Sequence, residues 1–175
     1  MFKKILLVIV LLVMVVLIIA AFKPGNFSVQ RTATIQAPPE KIFPLINDYH
    51  NWPQWSPWEK IDPNMKRTFS GPASGTGSVY EWDGNSKAGK GRMEIAESVP
   101  ASKIAIKLDF IKPMETNNNV QFNLQPNGNS TTVTWTMSGP VSFPAKVMTV
   151  FVSMDKMIGP DFETGLANMK AAAEK

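Results

Sequence analysis

The hydrophobic pattern of this chain changes period once, and that change limits the possible folds more than any other feature. Between Asn26 and Gly139 most segments alternate apolar and polar residues. From Val147 to Ala173 the apolar residues recur every three or four positions. Period two is the mark of a strand with one buried face, and period three to four is the mark of a helix with one buried stripe. In NFSVQRTATIQA, Phe27, Val29, Ala33 and Ile35 share a face with Arg31. In KIAIKLDFIK the apolar set is Ile104, Ile106, Leu108 and Phe110; in NNVQFNLQP it is Val120, Phe122 and Leu124; in STTVTWTMSG it is Val133, Trp135 and Met137. MKRTFSG, SVYEWDG and SKAGKGRMEIAESV read as three further strands. Asp83-Gly84-Asn85 and Asn127-Gly128-Asn129 supply turns between strands. Short connections of this kind favour an antiparallel meander. The glycines of SKAGKGRMEIAESV mark a bend or bulge.

The C-terminal stripe runs through Val147, Phe151, Met154, Ile158, Phe162, Leu166, Met169 and Ala173. Pro160 cannot donate to the carbonyl of Lys156, so a kink or break is expected at Gly159-Pro160. Near the N-terminus, PPEKIFPLIND reads as a short helix that begins on proline and is kept brief by Pro44. One curved antiparallel sheet with a long helix across its concave face buries every stripe, which is an α+β arrangement in two layers.

Ahead of this domain, Ile5 to Phe22 contains no charged or polar residue. As a helix that run is roughly 27 Å long, near the ~30 Å apolar thickness of a bilayer. It exceeds the usual length of a signal-peptide core, and no clean A-x-A cut site follows. Residues 1–23 are therefore expected to be a retained membrane anchor, with a cleaved signal as the alternative, and residues 24–175 the folded domain. Lys3 and Lys4 place the N-terminus in the cytoplasm and the domain in a periplasm or outside the cell. Three of the 18 Lys and Arg (Lys3, Lys4, Lys23) belong to that segment, leaving 15 against 14 Asp and Glu. A nearly neutral domain with no clustered positive stripe excludes a nucleic-acid partner. The chain has no Cys, so disulfides, thiolate metal sites and cysteine nucleophiles are excluded. His50 is the single histidine, no G-x-S-x-G elbow accompanies it, and the carboxylates lack zinc or calcium spacing. No metal or cofactor is expected.

NWPQWSPWEK places Trp52, Trp55 and Trp58 three residues apart, with Pro53 and Pro57 between them. The prolines exclude a long regular helix. The negative charges around the segment argue against stacking on nucleic acid. Three readings stay open: the rings plug one end of the sheet as core, they line a pocket mouth, or they sit in a membrane interface.

ATIQAPPEKIFPLINDYHNWPQWSPW, GSVYEWDGNSKAGKGRMEIAES and GPDFETGLANMK resemble blocks of the START-like, or SRPBCC, superfamily, in its polyketide cyclase/dehydrase-like branch. The resemblance spans residues 27 to 172. It implies a helix-grip fold, with about seven antiparallel strands wrapped on a long C-terminal helix. It also implies an apolar cavity between sheet and helix that takes a hydrophobic small molecule or lipid. The superfamily mixes carriers, sensors and enzymes, so the resemblance fixes no function.

The expected cavity wall consists of Trp82, Met93, Ile95, Ile106, Leu108, Phe110, Phe122, Trp135 and Met137 on the sheet. Phe151, Met154, Phe162 and Leu166 face it from the helix, and Trp55 and Trp58 close the mouth. The many methionines suit either an adaptable cavity or ordinary core filling. The expected function is a membrane-anchored binding module without chemistry. Two alternatives remain. One is a cyclase- or dehydratase-like enzyme using a cavity acid or base, for which Glu97, Glu81 and Tyr80 are the candidates. The other is a structural domain with a filled core. The sequence identifies no protein partner.

Overall fold

The computed structural model describes residues 1–175. After helix α1 (Phe2–Ala21) come β1 (Asn26–Ile35), α2 (Pro39–Asn47) and two 3-10 turns, Tyr49–Gln54 and Pro57–Lys60. Strands β2 (Lys66–Ser70), β3 (Val79–Asp83), β4 (Lys90–Val99), β5 (Lys103–Lys112), β6 (Thr116–Asn127) and β7 (Ser130–Pro140) follow, and then α3 (Phe143–Thr149) and α4 (Met154–Ala173). All seven strands form one sheet in the order β1-β7-β6-β5-β4-β3-β2, every neighbour antiparallel. The chain enters on one edge, crosses to the other, and meanders back until β7 lies beside β1. The crossing carries α2 and the tryptophan segment over one end of the sheet. This is the helix-grip arrangement expected from the sequence.

The inner faces follow the alternation. Met93 pairs with Leu108, Ile95 with Ile106, Phe122 with Trp135 and Leu124 with Val133. All eight are buried in one continuous core.

The C-terminal stripe is one pattern on two helices. Residues Val150–Ser153 separate α3 from α4, and the Ser153 hydroxyl caps α4 by accepting from Lys156 N at 3.3 Å. A serine cap satisfies an otherwise orphaned amide and starts a new helix there. The break expected at Gly159-Pro160 is absent, and Pro160 lies inside α4.

Helix α4 is clamped to the edge strand β1 at both ends. Arg31 reaches Asp155 Oδ1 and Glu163 Oε1, each at 2.7 Å. Gly159 makes room for it, because a Cβ there would fall 2.1 Å from the Arg31 guanidinium. At the other end Gln36 N donates to Glu174 Oε1 at 2.6 Å, and Lys170 Nζ donates to Thr34 O at 3.0 Å. Arg31 holds the Asp155 carboxyl below its ordinary range, chiefly by hydrogen bonding. A carboxylate depressed on folding stabilises above its unfolded pKa and loses that contribution as pH falls through the folded value. The melting temperature of Asp155→Asn should therefore lie below that of the parent at neutral pH and converge with it under acid. A gap that persists at acid pH would show that Asp155 acts by packing alone.

Candidate functional site

The tryptophan segment is fixed to α2 by its indoles. Trp52 Nε1 donates to Ile46 O at 3.0 Å, and Trp55 Nε1 to Leu45 O at 2.7 Å. These carbonyls lie in the last turn of α2, where the helix leaves them unpaired. Trp55 is fully buried, edge-on to Phe122 and Trp135. Trp58 packs edge-on against both Trp135 and Phe162. Trp135 and Phe162 stack nearly parallel at 4.1 Å, which joins α4 to β7. This aromatic plug seals α4 to one part of the sheet and leaves the adjoining part uncovered.

Beside the plug lies a cavity of about 150 Å³, with 15 hydrophobic residues among its 17 lining residues. It sits where the inner faces of β3 to β7 meet the first half of α4. Gly91 opens this region: a Cβ there would fall 2.3 Å from the Trp82 ring, so only glycine lets Trp82 lie against β4. The Trp82 indole is anchored by donating to Ala88 O at 3.0 Å. A void of ~150 Å³ is large enough for a single aromatic ring. A larger concavity, about 460 Å³, lies on the outer face of the sheet around Ala105, Gln121 and Thr136. Only 4 of its 11 lining residues are hydrophobic, so it does not desolvate an apolar guest.

Among the residues expected in the wall, Trp58, Trp82, Met93, Leu108, Phe110, Trp135, Met137 and Phe162 line the cavity. Trp55, Ile95, Ile106, Phe122 and Leu166 are buried but do not line it. Ile95, Ile106 and Phe122 point inward as their alternation requires, and all five are packed into the core. Met154 packs against the core without reaching the cavity. Phe151 is 73% exposed, because it falls in the break between α3 and α4 and not on a continuous helix.

The three acid/base candidates separate. Strict alternation along β4 puts Glu97 on the face of Met93 and Ile95, and it is an acid/base candidate only if it points into the cavity. A β-bulge between Ile95 and Glu97 shifts the register, so Glu97 pairs with Ala105 and Ser98 pairs with the buried Ile104. Glu97 is exposed and bridges Lys103 at 2.7 Å. Glu81 is also exposed, opposite Arg92 on the outer face. Tyr80 does line the cavity. Its hydroxyl donates to Glu59 Oε1 at 2.6 Å, and Arg67 Nε donates to Glu59 Oε2 at 2.7 Å. Burial, then the bond to Glu59, push the Tyr80 phenol well above its ordinary pKa, so it stays protonated.

Glu59 is the one carboxylate in the cavity wall, and it is buried. The sequence marks it only as one negative charge beside Trp58. No local pattern distinguishes it, because its partners Arg67 and Tyr80 come from β2 and β3. Trp52, Ser56, Ile61, Met65, Ala88, Val120 and Ile158 complete the lining. Val120 and Ile158 follow from periodicity, whereas Met65 and Ala88 lie in connections that carry none. His50 stacks on Phe69 at the surface and bonds Asp48, remote from the cavity lining. Arg31 and Arg92 are occupied by Asp155 with Glu163 and by Glu94.

The family described as polyketide cyclase / dehydrase and lipid transport matches residues 26–174. No curated protein matches the sequence. Among solved structures, the chain is similar to the di-domain ARO/CYC BexL from the BE-7585A biosynthetic pathway, with a TM-score of 0.64 and 14% identity over 90% of this chain and 53% of that one. It is also similar to the Aha1 protein of Colwellia psychrerythraea, solved as a dimer, with a TM-score of 0.60 and 20% identity over 85% of this chain and 96% of that one. A third similar structure is protein CV1439 from Chromobacterium violaceum, with a TM-score of 0.57 and 15% identity over 87% and 99% of the two chains. At such identities the likeness is one of fold.

Proposed function

The chain belongs to the polyketide cyclase / dehydrase and lipid transport family, and from that premise we propose that it is a membrane-anchored binding module for a small hydrophobic molecule or one apolar end of a lipid. The observation that carries this reading is the apolar void between the inner face of β3–β7 and α4. Burying apolar surface there favours entry by roughly 25 cal/mol per Å². At about 150 Å³ the void accepts one ring or a short stretch of acyl chain. Met65, Met93 and Met137 in the wall are the flexible side chains that would yield to a longer guest.

In this reading residues 1–23 are the anchor and 24–175 the binding domain. Helix α1 is long and apolar enough to cross a membrane, and all but one of its residues lie outside the folded core. Lys3 and Lys4 would stay in the cytoplasm, with the domain on the opposite side.

The test is extraction of apolar molecules from the full chain purified from its native membrane, compared with Val120→Trp and the milder Ala88→Leu. Both substitutions fill the void. The expected result is an apolar molecule recovered with the parent chain and reduced several-fold with each variant. Equal recovery from all three chains, or none from the parent, would contradict the reading.

One observation favours a second reading as an enzyme. Glu59 and Tyr80 bring a carboxylate and a phenol to the wall of an apolar cavity, an environment suited to acid/base chemistry. This pair replaces Glu97 and Glu81 as the candidates. Under that reading Tyr80→Phe abolishes conversion of the recovered molecule while leaving its uptake intact.

A further inference from the structure

We propose that α3 and the break after it dock in the bilayer leaflet from which α1 emerges, and so hold the start of α4 at the membrane surface. The argument begins with depth. The apolar run from Ile5 to Phe22 is roughly 27 Å long as a helix, so the ~30 Å apolar core of a bilayer takes up all of it, to the last turn of α1. Only two of its positions are shielded by the rest of the protein: Val16, partly, and Ala20, fully. They lie four residues apart on one face, in the last turns of the helix. Helix α3 packs against α1. Any element that touches α1 that close to its end is held at the boundary between hydrocarbon and headgroups.

The surface of α3 has the matching chemistry. None of its residues is buried. Phe143 is 50% exposed, Met148 52% and Phe151 73%, and Val152 is exposed beside them. Four exposed large apolar side chains gathered in so short a segment mark an interaction surface. Lys146, in the last turn of α3, has a stem long enough to lift its charge to the headgroups. The position is enforced at the start of α3 as well, where Val141 N donates to Gly25 O at 2.8 Å and ties the end of β7 to the segment leaving α1.

The consequence concerns supply of the cavity. Ile158 lines it and lies within two turns of the start of α4. Docking therefore places the helical wall of the void next to the leaflet, and an apolar guest entering there is not required to cross water. This inference rests on the reading of α1 as a retained span.

The chain has no cysteine, so one introduced thiol gives a unique label. The full chain is reconstituted in phosphatidylcholine/phosphatidylglycerol nanodiscs with a spin label at Phe151→Cys, at Met148→Cys, or at Asn129→Cys in the exposed β6–β7 hairpin as the aqueous reference. Docking predicts a several-fold lower collision rate with a water-soluble nickel chelate at 148 and 151 than at 129, and a higher rate with oxygen. Equal nickel rates at all three positions would overturn the proposal while leaving the anchor in place. Release of the chain from native membranes by alkaline carbonate would overturn the anchor and the docking together. Neither result bears on whether the cavity binds a guest.

Discussion

Trp135→Ala is expected to destabilise the domain by about 3–5 kcal/mol, the range for removing a large buried aromatic side chain. Trp135 is only 2% exposed. It lies between Phe162 of α4 and Phe122 of β6, with Trp55 and Trp58 edge-on to it. Its loss separates three elements at once. Gly165 adds to the effect, since its missing side chain lets α4 come within van der Waals distance of the ring; a Cβ there would lie 2.8 Å from it. In a domain of ~150 residues each kcal/mol lowers the melting temperature by about 2–4 °C, so a fall of roughly 10 °C or more is the expected reading. Trp135→Phe should cost much less. The indole N–H is buried without an acceptor, and phenylalanine removes that unpaired donor while keeping most of the stack. A Trp135→Ala domain within about 1 kcal/mol of the parent would show that the plug does not hold α4 to the sheet.

Glu59→Ala carries the second large effect. It strips the acceptor from the buried Tyr80 hydroxyl and from the Arg67 guanidinium. Removing one partner of a buried charge pair costs about 3–5 kcal/mol. Arg67 is roughly a quarter exposed and still donates to Met65 O, so a loss of about 2–3 kcal/mol is expected. Glu59→Gln retains a carbonyl acceptor and should lose less. Tyr80→Phe removes one hydrogen bond and should cost about 1 kcal/mol. Because the groups share one carboxylate, Glu59→Ala and Tyr80→Phe should be non-additive by about 0.5–3 kcal/mol in a double-mutant cycle. Strict additivity in denaturant melts would mean that Glu59 and Tyr80 act separately.

The layers of the fold were legible because each rests on a period. The β5, β6 and β7 faces were readable from their alternation, and the α4 face from its three-to-four spacing. What was not legible depended on one residue more or less. The bulge after Ile95 turns Glu97 outward and Ser98 inward, and nothing near MEIAESV specifies it. Ser153 starts α4, yet a serine within an apolar stripe does not by itself outweigh the pattern around it. Phe151 was consequently expected inside and lies outside. Helix-breaking by Pro160 was overestimated, because α4 is held on both sides of it by Asp155 and Glu163 to Arg31. The polar end of the cavity is assembled from Glu59 on the crossing between β1 and β2, Arg67 on β2 and Tyr80 on β3, which are separated along the chain. Pairing across such distances leaves no periodic trace.

The most direct test of an open apolar cavity is methionine methyl NMR of the full chain in nanodiscs, titrated with benzene. Met65, Met93 and Met137 line the void, whereas Met114 is exposed. The account predicts saturable shifts confined to the first three, abolished in Val120→Trp. Shifts that rise without saturation and equally at all four methyls would contradict it.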